Sequence, residues 1–317
     1  MARSFSGVHR LSVALLVAAI AFIALAPLAN AAPATTASGG QSSSRSSSLE
    51  VVNPAGAAAS SAAAARQLVQ VANVMVARSP ITLTASIEAL VESSGASVGI
   101  SLIELRGTTP LVWSFNASSV FTAASTYKLV ALMMEAQNIA SGRTDPNGIV
   151  CYEDGACFTR NELARRAGLM SDNTAGHMLV RDVGGAEAVN AWTASLGATH
   201  SVFFTDNTTS PYDLAAVWAA EAKGSLGGPA AEAWLYPLLT GTKTEAGIPA
   251  GVAGRSTVVH KTGALDQVEN DAALVVTGPN GAYVLVVMTD GLGGADGWQL
   301  ISSISSVVWS FEAARAT

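Results

Sequence analysis

Three short polar strings, each occurring once, have the composition that acyl transfer by a serine requires. They are Ser125-Thr126-Tyr127-Lys128, Ser171-Asp172-Asn173 and Lys261-Thr262-Gly263. Lysine is scarce in this chain, which has four, and two of the four lie inside these strings. A serine hydroxyl is a weak nucleophile at neutral pH and needs a base beside it. The strings therefore predict a serine nucleophile with a lysine beside it as the base.

The first string predicts the nucleophile and its base. Residues three apart on a helix share a face, so Lys128 would lie within hydrogen-bond reach of Ser125. A lysine acts as a base only when burial or a neighbouring cation lowers its pKa, and Lys261 could be that cation. The N–H groups of the first helical turn would stabilise the oxyanion. The alternative is a solvated serine–lysine pair on an ordinary helix.

The second string precedes an apolar helical pattern. We expect Ser171 to relay a proton to the leaving nitrogen, and Asn173 to hold an amide carbonyl and Lys128. The alternative interpretation is a helix N-cap with no part in catalysis.

The third string is expected to end a strand. Lys261 and Thr262 would bind a substrate carboxylate, and Gly263 would let a substrate backbone lie close to the strand. The N–H of Ala264 would complete an oxyanion hole with that of Ser125. The alternative is a strand end followed by a turn.

Strand patterns stand at both ends of the folded region, with helical patterns between them. This order predicts an α/β protein of the α+β type, in which one antiparallel sheet is built from distant segments beside a helical insert. The strands are expected at 97–104, 111–115, 257–261, 271–277 and 283–289. The helices are expected at 67–91 with a break near Pro80, and at 125–140, 159–167, 173–183, 186–196, 211–222, 229–239 and 297–314.

The N-terminal region predicts export. Residues 1–31 contain basic residues, an apolar run and a small-residue site for signal peptidase, with an uncleaved membrane anchor as the alternative. Residues 32–65 are rich in Ala and Ser and are expected to form a disordered leader. Residues 66–317 form the predicted folded domain. The chain is therefore expected to be secreted or retained in the cell envelope, with no stable membrane insertion after cleavage.

Cys151 and Cys157 are the only cysteines. In an exported chain an even pair tends to close, so a disulfide is predicted between them. A metal site is a poorer interpretation because two thiols lack the further ligands of a structural zinc, and two free buried thiols are the remaining alternative. The net charge is −6 and there is no long basic run, which argues against nucleic acid as a partner.

The three strings, in this order, resemble the signature of the class A β-lactamase and penicillin-binding protein superfamily. Further segments share the resemblance: Phe121–Ala124, Met170–Ala175, Gly184-Gly185, Ile248–Gly251, Val259–Gly263 and Asn270-Asp271. It implies a five-stranded antiparallel sheet flanked by helices, an all-helical subdomain and a cleft between them that holds the site. It also implies a β-lactam or D-alanyl peptide as substrate, no metal or organic cofactor, and a monomer.

The chain departs from the class A pattern in one loop. Class A enzymes carry a loop glutamate that activates the water for hydrolysis of the acyl-enzyme. The corresponding stretch, 196–211, contains no glutamate. Asp206 in this loop and Glu153 and Asp154 between the cysteines are candidates for the missing base, although a loop tie, a helix cap or a solvated surface would also account for them.

The resulting expectation is a serine hydrolase that forms an acyl-enzyme at Ser125 but deacylates slowly. The alternatives are a D,D-peptidase or esterase with the same site, and a catalytically idle penicillin- or peptidoglycan-binding protein. Beyond Lys261, Arg255 is the nearest arginine for a substrate carboxylate, and His260 is expected to be structural.

Overall fold

A five-stranded antiparallel sheet organises the chain in the computed structural model, which describes residues 66–67, 70, 75–107, 109–153, 155–252 and 254–316. The predicted signal peptide and leader, residues 1–65, lie outside the described residues. The sheet has the order β2-β1-β9-β8-β7. Its strands are β1 (Ser97–Glu104), β2 (Val112–Phe115), β7 (Val258–Leu265), β8 (Val268–Val275) and β9 (Tyr283–Asp290).

Two small two-stranded ladders complete the strands: β3 (Phe121–Thr122) pairs with β6 (Thr208–Thr209), and β4 (Ile149–Cys151) pairs with β5 (Cys157–Thr159). The helices are α1 (Pro80–Ser94), α2 (Tyr127–Ala140), α3 (Arg160–Leu169), α4 (Asn173–Asp182), α5 (Gly185–Ser195), α6 (Pro211–Ala222), α7 (Gly228–Leu235), α8 (Ile248–Val252) and α9 (Gly294–Arg315). Short 3-10 helices occupy Ala124–Thr126 and Tyr236–Leu239.

The two faces of the sheet bury separate hydrophobic clusters. On one face, Ala272, Val286 and Met288 pack against the helices between β3 and β7, with Leu132 and Trp218 fully buried in that cluster. On the other face, residues of β1, β8 and β9 pack against α1 and α9. Alternate residues of a strand point to opposite faces, so central strands that are buried on both sides are apolar almost throughout.

The structure confirms the predicted α+β fold with its five-stranded antiparallel sheet. The break near Pro80 is the start of α1, where Ser79 caps the helix and Pro80 occupies the first turn, a place at which a missing N–H costs little. The short strands β3 to β6 and the five-residue helix α8 were not predicted, because they have too few residues to show a periodic pattern.

The expectation that the third string ends a strand is wrong. β7 continues to Leu265, so Lys261-Thr262-Gly263 lies inside the strand, and Gly263 pairs with Asn270 of β8. The hairpin turns at Asp266 and Gln267 instead, with Asp266 at a φ of 52°. The sequence 264–265 carried no strong strand signal, and pairing with β8 decides its conformation.

The predicted disulfide is present between Cys151 and Cys157, directly opposed residues of the β4–β5 hairpin with Cα atoms 4.0 Å apart. None of the helices in the described ranges combines the length and apolar character that a bilayer crossing requires.

Candidate active site

Ser125 lies in the 3-10 turn that leads directly into α2. Ala124, just before it, has a φ of 48°, a left-handed conformation that is costly for a residue with a Cβ. The turn is held from two sides. Asn270 donates its side-chain N–H to the Thr122 carbonyl at 2.8 Å, and the Asn207 side chain donates to the Ala124 carbonyl at 3.1 Å. The nucleophile is thus fixed by residues far away in sequence.

Lys128 connects the first two strings. Its Nζ donates to Ser125 Oγ at 2.9 Å, to the Ser171 carbonyl at 2.6 Å and to Asn173 Oδ1 at 2.7 Å. The side chain is fully buried. Burial lowers the Lys128 pKa to about 8, although the negative charge of Asp172 opposes this change. The structure therefore gives Lys128 the contact and the lowered pKa that a base beside Ser125 needs.

Ser171 lies between the two lysines. Its Oγ accepts a hydrogen bond from Lys261 Nζ at 3.0 Å and is 3.4 Å from Lys128 Nζ. Its backbone has a φ of 53°, and the next residue, Asp172, caps α4 by accepting from the Ala175 N–H at 2.9 Å. The capping role and the role at the site thus belong to different residues of the same string.

Lys261 is almost fully buried on β7. Burial and the positive charge of Lys128 lower the Lys261 pKa to about 7, and the Asp271 carboxylate opposes them. Its ammonium group donates to Ser171 Oγ and to the Thr262 carbonyl, the latter at 2.7 Å. An anion bound beside Lys261 would offset the repulsion between the two lysines.

A network formed by buried His260, buried Asp271 and exposed Glu245 supports β7 beside the site. His260 Nδ1 lies 2.9 Å from Asp271 Oδ1, and Nε2 lies 3.0 Å from Glu245 Oε1. Burial alone would lower the His260 pKa, but the two carboxylates raise it to about 9. Asp271 also accepts from the Ile248 N–H at 2.9 Å. These contacts agree with the structural role expected for His260.

Gly263 is needed where β7 passes the nucleophile turn. A Cβ at this residue would lie 2.7 Å from the Ala123 carbonyl oxygen and 3.0 Å from the Ser125 nitrogen. The glycine therefore brings the strand close to Ser125, which is a different use from the approach of substrate backbone expected from the sequence. β7 is the edge strand of the sheet, and Ala264 on it is exposed. Alternate N–H groups of an edge strand have no strand partner.

The loop between α5 and α6 folds back on itself and reaches the nucleophile. Val202 bridges to Thr208, and Asn190 of α5 exchanges hydrogen bonds with the backbone of Phe203 at 2.8 and 3.1 Å. Phe204 then contacts the Tyr127 ring edge to face, with centroids 5.1 Å apart. The loop therefore covers the start of α2 although it lacks a glutamate.

Sequence reasoning missed two residues beside Lys128. Gly176 on α4 has no room for a side chain, since a Cβ there would lie 2.7 Å from Lys128 Cε and 2.9 Å from the Tyr127 hydroxyl. The Tyr127 hydroxyl is buried and has no partner among the described residues. The sequence did contain one sign of the close packing at Gly176, because a glycine one turn into a helix cannot act as a cap and so needs another reason.

The other sequence candidates in the described ranges have no hydrogen bond or ion pair with Ser125 or Lys128. Arg255 is over the Trp309 ring, 5.8 Å from its centroid, and so packs against α9. Glu153 is exposed and pairs with Arg181 at 3.5 Å, which places it near the C-terminal end of α4. Asp206 is exposed, and Asp154 lies outside the described residues. None of these contacts brings a carboxylate to Ser125.

The fold and the set of residues at the site are those of the β-lactamase and penicillin-binding serine hydrolase superfamily. Residues 82–311 match the sequence model of the Beta-lactamase enzyme family. The chain therefore belongs to this family.

Solved structures show the same fold. PBP-A is 25% identical, with a TM-score of 0.64 over 71% of this chain and 95% of its own. A PBP-A mutant with leucine replaced by glutamate, in an acyl-enzyme complex with penicillin G, is 24% identical, with a TM-score of 0.66 over 72% and 94% of the chains. A β-lactamase from Sphaerobacter thermophilus DSM 20745 is 24% identical, with a TM-score of 0.63 over 71% and 95%. Comparison with curated protein sequences gives no match.

Proposed function

We propose that this protein is a serine hydrolase that forms an acyl-enzyme at Ser125 with β-lactams or D-alanyl peptides. The observation that carries the proposal is the contact of 2.9 Å between Lys128 Nζ and Ser125 Oγ, in a fully buried site that lowers the lysine pKa to about 8. The penicillin G acyl-enzyme formed by a mutant of PBP-A supports the choice of substrate class.

The contacts support the following proposed role for each group in acylation. Neutral Lys128 takes the proton of Ser125 as the serine oxygen attacks the amide carbonyl. The N–H groups of Ser125 and Ala264 receive the oxyanion, and Gly263 allows them to approach each other. Ser171 passes a proton to the leaving nitrogen. Lys261 and Thr262 bind the substrate carboxylate, and Asn173 holds the amide of the substrate side chain.

The loop at 196–211 supports slower deacylation than in class A enzymes. It reaches the start of α2 through Phe204 and Asn207, but it brings no glutamate there. Removing a positioned general base costs on the order of a hundredfold in rate. A serine hydrolase whose acyl-enzyme decays more slowly than that of class A enzymes is therefore the form of this activity that we propose.

Intact-protein mass spectrometry with penicillin G tests the proposal. We expect an adduct that peptide mapping places on Ser125 and that is absent from Ser125→Ala. Lys128→Ala should label at least a hundredfold more slowly, whereas Lys223→Ala, which changes an exposed lysine at the end of α6, should label normally. Absence of any adduct on the wild-type protein would refute β-lactam acylation, and normal labelling of Lys128→Ala would remove Lys128 as the base.

We also propose that the protein is exported. The Cys151–Cys157 disulfide supports this, because such bonds persist mainly in oxidising compartments. N-terminal sequencing of the secreted protein should find a start near Ala32, and an intact N-terminus retained in the membrane would contradict the proposal.

A further inference from the structure

We propose that His177 is the general base that activates water for hydrolysis of the acyl-enzyme. This inference rests on the proposed acylation of Ser125. Chemically, deacylation needs a group that takes a proton from water at neutral pH, and histidine is the side chain used most often for this task. The loop glutamate of class A enzymes has no counterpart in 196–211, and Asp206, the one acid of that loop, is exposed, whereas His177 on α4 contacts the loop at Phe204.

His177 lies on the face of α4 that turns toward the site. It follows Asn173 by four residues, which on a helix is one turn and about 6 Å along the axis. Asn173 Oδ1 accepts from Lys128 Nζ at 2.7 Å, and the same Nζ is 2.9 Å from Ser125 Oγ. Both Asn173 and His177 are exposed, so water reaches the imidazole.

The loop and the nucleophile helix hold the His177 ring between them. Its centroid lies 5.2 Å from that of Phe204 and 6.3 Å from that of Tyr127, two residues after Ser125. Gly176, the preceding residue, has no side chain, so the backbone of α4 packs directly against Lys128. The imidazole therefore stands where the loop, α2 and α4 meet at the edge of the site.

His177 also differs from the other histidines in the described ranges. His200 Nδ1 lies 3.0 Å from Asp213 Oδ1, and both ring nitrogens of His260 face carboxylates, so each of these two rings is already paired with an acid. The His177 ring has no hydrogen bond or ion pair within the described part of the chain, and its nitrogens are available to water.

In the proposed deacylation step, water is the only co-reactant. A water molecule lies between the imidazole and the acyl carbon, and its oxygen forms a bond to that carbon while His177 takes one of its protons. The bond from Ser125 Oγ to the carbon then breaks, and the serine oxygen takes a proton from solvent. The imidazolium releases its proton to solvent, the product leaves as a carboxylic acid, and Lys128 stays neutral, as the next acylation requires.

His177→Phe separates base catalysis from ring packing, because phenylalanine keeps the contacts with Phe204 and Tyr127 but cannot accept a proton. After labelling with penicillin G and removal of excess ligand, the adduct is followed by intact-protein mass spectrometry. We expect His177→Phe to acylate at the wild-type rate and to lose the adduct roughly a hundredfold more slowly. Asp206→Ala tests the rival loop acid in the same assay. Its adduct should decay as that of the wild type does, and slower decay would assign the base to Asp206 and overturn the inference.

A second variant tests the chemistry directly. His177→Ala leaves an exposed gap, so added imidazole should speed decay of its adduct but not that of the His177→Phe adduct. Decay of the His177→Phe adduct at the wild-type rate would overturn the inference while leaving acylation intact. Failure of the wild-type protein to label would instead refute the proposed function itself.

Discussion

Replacing Lys261 by methionine should stabilise the fold near pH 7 while it removes a cation from the site. The Lys261 side chain is 1% exposed, and burial together with the Lys128 charge lowers its pKa from 10.5 to about 7. The folded-state pKa lies below the unfolded value, so the unfolded chain binds more protons between these two limits. The free energy of unfolding therefore rises with pH from about 7 to about 10.5. The loss of stability caused by burying the lysine is accordingly largest at about pH 7 and below.

The size of the effect follows from the same pKa values. A fall from 10.5 to about 7 corresponds to roughly 4 kcal/mol of lost stability at pH 7 and to about 1 kcal/mol at pH 10. Methionine removes this penalty, but it also removes the hydrogen bonds to Ser171 Oγ and the Thr262 carbonyl, each worth about 1 kcal/mol. Lys261→Met should then be more stable than wild type by about 2 kcal/mol at pH 7 and less stable by about 1 kcal/mol at pH 10.

Urea unfolding at pH 7, 8.5 and 10, with the disulfide intact, measures this change. Lys223→Met is the matched control, because Lys223 is exposed, and its effect on the free energy of unfolding should not vary with pH. The reasoning fails if the stability difference between Lys261→Met and wild type is the same at all three pH values. Such a result would mean that burial does not lower the Lys261 pKa.

Three further predictions concern the site and its support. The acylation rate with penicillin G should rise with pH through about 8, as Lys128 loses its proton and becomes a base, and a flat profile in stopped-flow labelling would contradict this role. Gly176→Ala places a Cβ 2.7 Å from Lys128 Cε, so labelling should slow and the free energy of unfolding should fall by about 1–3 kcal/mol. Wild-type values of both would show that α2 and α4 can move apart to accommodate the methyl group. Arg315→Ala leaves the buried Glu104 carboxylate without its bidentate partner, so the free energy of unfolding in urea should fall by about 3 kcal/mol while labelling is unchanged. A fall of less than about 0.5 kcal/mol would show that Glu104 becomes protonated once the pair is broken.

Much of the fold was predictable because its main elements have clear periodic patterns. β1 and α6 have the predicted bounds, and α2 and α4 differ from them by two residues or fewer. The errors lie where pairing rather than local pattern decides conformation. β7 extends through Gly263 because Asn270 and its neighbours on β8 pair with it, and the two-residue strands β3 and β6 exist only as partners of each other.

The groups of the site were predictable in type, but their surroundings were not. The strings named Ser125, Lys128, Ser171 and Lys261, and the structure brings their polar atoms together. Neither the bond from Asn207 to the turn that carries Ser125 nor the close packing of Gly176 on Lys128 was predictable, because each contact joins residues far apart in the chain. His177 was unremarkable in sequence for the same reason.

By itself, the sequence determined which reactive groups this protein possesses and the order of the elements that carry them. Residue types and short-range spacing are properties of the chain, so a serine, two lysines and their helix or strand could be predicted from it. Only the tertiary structure decided that both lysines are buried against Ser171, with pKa values of about 8 and 7. Burial and charge proximity depend on which segments meet in space, and they are the interactions that set the lowered pKa values of both lysines.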